Sequence, residues 1–124
     1  MYSAFYRYIN MYPLVHNDTL PTANIESVIK TYNIFEEKEK GAFYNNSNIG
    51  THISIQLMKV SDHNNWSNTD FDSKETNYIS IVISRNNIDE EFLVNHLIDI
   101  AEKLKWVLFE EDDEDGIVLF SPNK

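Results

Sequence analysis

Hydrophobic and polar residues alternate in two central stretches of the chain. Across 51–60, Ile53, Ile55 and Leu57 fall on one side, and Ser54 and Gln56 on the other. Across 77–84, Ile79, Ile81 and Ile83 oppose Ser80 and Ser84. A period of two predicts strands with one buried face. Val82 interrupts the polar side of the second, so that strand is expected to be covered on both faces. Another strand is expected over roughly 3–12, where Tyr and Phe are dense and suit a pleated, half-buried surface. Pro13 ends that strand or confines it to an edge.

Two stretches have helical spacing instead. Ile25, Val28, Ile29 and Tyr32 recur at the spacing of one helix face. Leu20-Pro21-Thr22 forms a turn into that helix, with Thr22 or Asn24 placed to cap it. Glu36–Lys40 is a solvated stretch that Gly41 is suited to terminate. Farther on, Phe92, Leu93, His96, Leu97, Ile100, Ala101 and Leu104 form a continuous apolar stripe. Asn87 is the expected cap, with Glu90 three residues later completing a capping box. Asp89, Glu90 and Glu91 meet the positive end of the helix dipole, and Lys103 and Lys105 the negative end. The span 88–105 would be about 27 Å long. Trp106–Phe109 and Ile117–Phe120 read as short strands around an acidic turn containing Asp115-Gly116.

The resulting order is β-α-β-β-α-β plus one short C-terminal strand. It predicts an α+β, ferredoxin-like fold: an antiparallel sheet with two helices on one face. The 124 residues are expected to form one domain, 1–124.

Charge narrows the partners. Twenty Asp and Glu against ten Lys and Arg leave a net charge of −10. A nucleic-acid backbone calls for a basic face, and an anionic membrane repels an acidic one, so neither is an expected partner. No apolar run approaches a membrane span, and the start of the chain lacks a secretory pattern. With no cysteine, disulfides, thiolate metal sites and a cysteine nucleophile are excluded. A cytoplasmic protein with a basic partner is the expectation. The surplus is uneven, −1 over residues 1–62 and −9 over 63–124.

Two segments stand out as candidate partner-binding sites. The first is the run Glu110, Glu111, Asp112, Asp113, Glu114 and Asp115, whose mutual repulsion calls for water, a basic protein or a cation to offset it. An EF-hand does not fit. With Gly116 at its sixth position, the required bidentate Glu falls on Pro122, and the flanks read as strands. The second is the long link 61–76, where Trp66 and Phe71 stand among Asp62, Asp70, Asp72 and Glu75. Aromatics ringed by charge suit an interface hot spot, and they equally suit folding back over the sheet edge. No catalytic motif, phosphate loop, metal spacing or cofactor signature is present, and His96 on the apolar stripe reads as a hydrogen-bonded core histidine. A non-enzyme is therefore expected, with no cofactor.

The layout resembles the small acidic immunity proteins of bacterial contact-dependent growth inhibition and related polymorphic toxin systems. The likeness rests on the strand Ile53-Ser54-Ile55-Gln56-Leu57, the strand Asn77-Tyr78-Ile79-Ser80-Ile81-Val82-Ile83, and the helix Glu91–Lys105. That helix runs into Trp106-Val107-Leu108-Phe109 and the acidic residues. The likeness covers most of 45–120 and carries over no residue role. It implies a cytosolic protein that binds the C-terminal domain of a cognate toxin and blocks its active site or the access to it. Many such toxins are nucleases with basic substrate grooves, which a carboxylate-rich surface can fill in place of phosphates. Long-range attraction can raise association to about 10⁸–10⁹ M⁻¹s⁻¹ at low salt. The competing readings are an adaptor subunit of a secretion or phage module and a metal-dependent enzyme.

Overall fold

The computed structural model describes residues 5–15, 18–39, 41–45, 52–60, 74–84, 90–111 and 116–122. Its elements run β1 (Tyr6–Pro13), β2 (Leu20–Pro21), α1 (Thr22–Lys30), β3 (Phe35–Glu39), β4 (Ala42–Asn45) and β5 (Ile53–Met58). They continue through β6 (Glu75–Thr76), β7 (Tyr78–Ser84), α2 (Glu90–Leu104), β8 (Trp106–Glu110) and β9 (Ile117–Phe120). Seven strands form one sheet in the order β3-β4-β5-β7-β1-β8-β9, and β2 and β6 form a small second sheet. Every pairing among the described residues is antiparallel.

The alternating stretches fold as the spacing requires. Register aligns Ile9 with Ile81 and Ile81 with Ile55, so their side chains share one face. Both helices cover that face and touch each other. Ile25 and Ile29 of α1 and Leu93, Leu97 and Ile100 of α2 meet the isoleucines of the sheet in one core. Each fully buried aliphatic side chain contributes about 1.5–3 kcal/mol relative to exposure. On the opposite face Ser54, Gln56, Ser80 and Val82 are half-buried. Tyr12 stacks on Tyr78 there, with ring centroids 6.2 Å apart, beside Met58 and Val60.

Three local expectations differ from the structure. The solvated stretch after the first helix is a strand, not a helical tail. Phe35–Glu39 pairs with Ala42–Asn45, a strand that local spacing did not predict. Gly41 closes this hairpin at φ 79°, a conformation costly to residues with a Cβ. Among the described residues the sheet therefore has seven strands where the pattern predicted five.

Neither Thr22 nor Asn24 caps α1. Pro21 takes the cap position without a side-chain bond, and Thr22 is the first helical residue. The Thr22 hydroxyl is buried 2.7 Å from that of Thr76, and its N–H donates to the Lys74 carbonyl at 2.8 Å. The cap is thus replaced by a tie to β6. Asn87 and Asp89 lie outside the described residues, so the expected capping box falls there in part. His96, placed in the core by its spacing, is instead partly exposed. Its Nδ1 lies 2.8 Å from the Phe92 carbonyl, one turn back.

Candidate partner-binding surface

A charge on the core side of a strand needs a partner, because an unpaired buried ion is costly. Arg7 has the same parity along β1 as Ile9 and Met11, and so points toward the helices. Register sets Ile9 opposite Glu110, which brings the last residue of β8 beside the guanidinium. Arg7 Nε donates to Glu110 Oε2 at 2.8 Å, and Nη2 donates to Oε1 at 2.7 Å. This two-point geometry is the strongest form of the Arg–carboxylate pair. Nη1 also reaches Glu90 at 3.4 Å and Glu91 at 3.6 Å, both in the first turn of α2. The hydrogen bonds to Glu110 hold the guanidinium proton even more firmly than usual. Burial works against them, and the charges of Glu110 and Glu90 add to them.

Three carboxylates therefore share one guanidinium, and the end of the sheet around them remains negative. Their exposures differ sharply. Glu110 and Glu90 are nearly enclosed, whereas the Glu91 side chain is 82% exposed. On the opposite face of the sheet, Asn10 Nδ2 donates to Glu111 Oε2 at 2.6 Å. The Glu111 N–H donates to the Tyr8 carbonyl at 2.9 Å, extending β8 toward the acidic turn. Among the described residues, no three His, Asp or Glu side chains are arranged to hold a metal ion. Between Glu90, Glu91 and Glu110, the cation is Arg7.

The carboxylates singled out in the sequence thus have different roles. Glu110 is buried and committed to Arg7, and Glu111 is tied to Asn10. Glu75 is exposed in β6, where its carboxylate accepts a 2.7 Å bond from the Thr19 hydroxyl. Asp112, Asp113, Glu114 and Asp115 lie outside the described residues, as do Asp62, Trp66, Asp70, Phe71 and Asp72. The two predicted patches are not rooted together. Asn77 grips Val60 through two 2.8 Å bonds, one each way, and so closes the base of the 61–76 link. The register of β1 and β7 puts that base level with Pro13, while Glu110 is level with Ile9. Four residues of strand separate them, about 13 Å.

Sequence spacing overlooked Arg7, Glu90 and Glu91 as members of this surface. One signal was available: Arg7 stands at period two with Ile9 and Met11, which marks a charge expected to be buried and paired. Nothing local identified its partners, which lie more than eighty residues away.

Two other places have chemical content. Tyr32 donates a short hydrogen bond to Asp99, and Lys103 lies 4.8 Å from the centre of the Tyr32 ring. Burial and the Asp99 bond push the Tyr32 hydroxyl up, so it is less ready to ionise than a free tyrosine. At the Pro13 end an open groove of about 340 Å³ is lined by Leu14, Val15, Leu20, Leu104 and Trp106, with Asp18 and Lys105 at hand. Among the described residues, no helix is long and apolar enough to cross a membrane. Comparisons with family models, curated proteins and solved structures return no match.

Proposed function

We propose that this chain is an immunity protein that binds and neutralises a basic toxin domain in the cytoplasm, using the acidic end of its sheet. The reading rests on one observation. Two carboxylates from the start of α2, Glu90 and Glu91, and one from the end of β8, Glu110, meet where the acidic run 110–115 begins, with Arg7 as the positive charge among them. Along the chain the surplus is uneven, −1 over residues 1–62 and −9 over 63–124, and this end of the sheet belongs to the second half. Exposed Glu91 and the turn steer the partner. Glu110 and Arg7 fix the shape of the surface without being spent on the contact. Steering raises association rates more than it adds affinity.

The chain acts by binding and not by catalysis in this reading, with no cofactor and with the toxin as its partner. Beneath it we infer a ferredoxin-like core. The four central strands β5-β7-β1-β8, with α1 leading toward β5 and α2 linking β7 to β8, have the neighbour relations of that arrangement. The hairpin β3–β4 and the strand β9 widen it on either side.

Co-expression with a toxin domain, sought in the neighbouring reading frame, tests the function: cells that make the toxin survive only when they also make this chain. Stopped-flow association of the pair tests the surface. Glu91→Lys with Asp113→Lys and Asp115→Lys is expected to slow association about tenfold and flatten its salt dependence. An unchanged rate and salt slope would move the binding surface elsewhere. The exposed apolar residues of β9 favour one second reading, an adaptor subunit. A stable homo-oligomer and no protection from any toxin would select it.

A further inference from the structure

We propose that β9 is completed by a strand from the partner: an extended, lysine- or arginine-bearing segment pairs with its outer edge and lays its apolar side chains over one face of that edge, at Ile117 or at Val118. This rests on the reading of a cationic protein partner and adds the mode of contact.

The outermost strand β9 is paired on one side only, with β8, among the described residues. An edge of this kind presents a row of unpaired backbone groups, and proteins usually blunt it with charge. The far edge does so: in β3, Glu36, Glu37, Lys38 and Glu39 are all exposed. In β9 the corresponding positions are apolar, with Ile117 53% and Val118 55% exposed. The edge is also held in place. Leu119 and Phe120 pack against the main core. Gly116 enters the strand at φ 80°, and a Cβ there would stand 2.1 Å from the Phe109 ring. The ring therefore closes over the glycine, and the hairpin presents a formed edge.

Charge chooses the occupant. The segment leading into β9 carries five adjacent carboxylates, Glu111 to Asp115, beyond the Arg7-paired Glu110. A second copy, itself of net charge −10, would set the same carboxylates against their own kind. A segment that alternates apolar and cationic residues satisfies the edge backbone, covers Ile117 or Val118 according to its register, and meets the turn with opposite charge.

The test uses the isotope-labelled full chain and a capped peptide alternating valine and lysine. Two control peptides accompany it: the same peptide methylated on its amide nitrogens, and a version with glutamate for lysine. The lysine peptide is expected to slow amide exchange of Ile117–Phe120 about tenfold or more, and the methylated one to bind about tenfold more weakly. Ile117→Lys with Val118→Lys is expected to abolish the protection while leaving the α2 amides protected as before. Equal binding of the methylated and unmethylated lysine peptides overturns strand addition but leaves an acidic surface for a cationic partner. Equal protection by the glutamate peptide overturns the charge assignment, and with it the cationic-partner reading. Protection that rises with protein concentration alone, without peptide, makes a second copy the occupant and overturns the proposal.

Discussion

The two edges of the sheet are built from hairpins of similar length and opposite chemistry. At one edge, β3 reads Phe-Glu-Glu-Lys-Glu, and only Phe35 is buried. At the other, β9 reads Ile-Val-Leu-Phe. The charged hairpin is tied to the helices by polar contacts. Lys30 of α1 pairs with Glu37 at 2.9 Å, and Glu26 accepts the Gly41 N–H at 3.1 Å. Tyr32 packs edge-on against Phe35 and bonds Asp99 of α2. The apolar hairpin is tied at its root by the enclosed pair Arg7–Glu110. A sheet protected on both sides needs no partner. Protection on one side alone leaves a site where another chain gains by pairing.

Breaking the root of the apolar hairpin should have the largest effect. Arg7→Met strands Glu110 and Glu90 without their cation, and a loss of about 3 kcal/mol is expected in urea unfolding. Glu110→Gln should cost less, because the amide still accepts from the guanidinium. If Arg7→Met is neutral, the pair does not hold the edge.

The turn glycines come next. Both have positive φ, but an added Cβ at Gly41 meets nothing nearer than 3.8 Å, whereas at Gly116 it strikes the Phe109 ring. Gly41→Ala should cost about 1 kcal/mol and Gly116→Ala about 2–3 kcal/mol. Equal losses would mean that Phe109 swings aside and the β9 edge is less firmly set than described.

Exchanging the edge chemistry should change association more than stability. Ile117→Lys with Val118→Lys should stay within about 0.5 kcal/mol of the parent in thermal unfolding. Glu36→Val with Lys38→Val should make the protected edge adhesive, visible as concentration-dependent mass in sedimentation. A protein that stays as dispersed as its parent would show that charge is not what guards β3.

The smallest effect belongs to pH at the charged hairpin. Burial and the Asp99 bond raise the Tyr32 hydroxyl above its ordinary value of 10.0. The stabilisation is therefore complete below about pH 10 and lost as pH rises through the folded value. Asp99 is lowered, first by the Tyr32 bond, so its contribution is present above its ordinary 3.8 and fades as pH falls. Tyr32→Phe should flatten the alkaline loss and soften the acid one in pH-dependent thermal melts. An unchanged profile would detach this contact from the stability of the hairpin.

Much of the scaffold could be read from local spacing, because a side chain's face in a strand or helix follows from its position in the repeat. The isoleucines of β5 and β7 and Leu93, Leu97, Ile100 and Ala101 of the α2 stripe became core for that reason, while Phe92 at its start stayed exposed. Spacing did not reveal that Glu36–Glu39 is a strand, since four charged residues form a strand only when a neighbour such as β4 is there to pair with. Nor did it set the fate of each carboxylate. Glu110 and Glu111 are adjacent in an acidic run, yet one is enclosed by an arginine 103 residues away and the other is bonded to Asn10. Net charge, the apolar repeats and the acidic turn were properties of the chain as written. Which strands became edges and which carboxylates were enclosed depended on pairings between distant residues, and those exist only once the sheet has closed around its core.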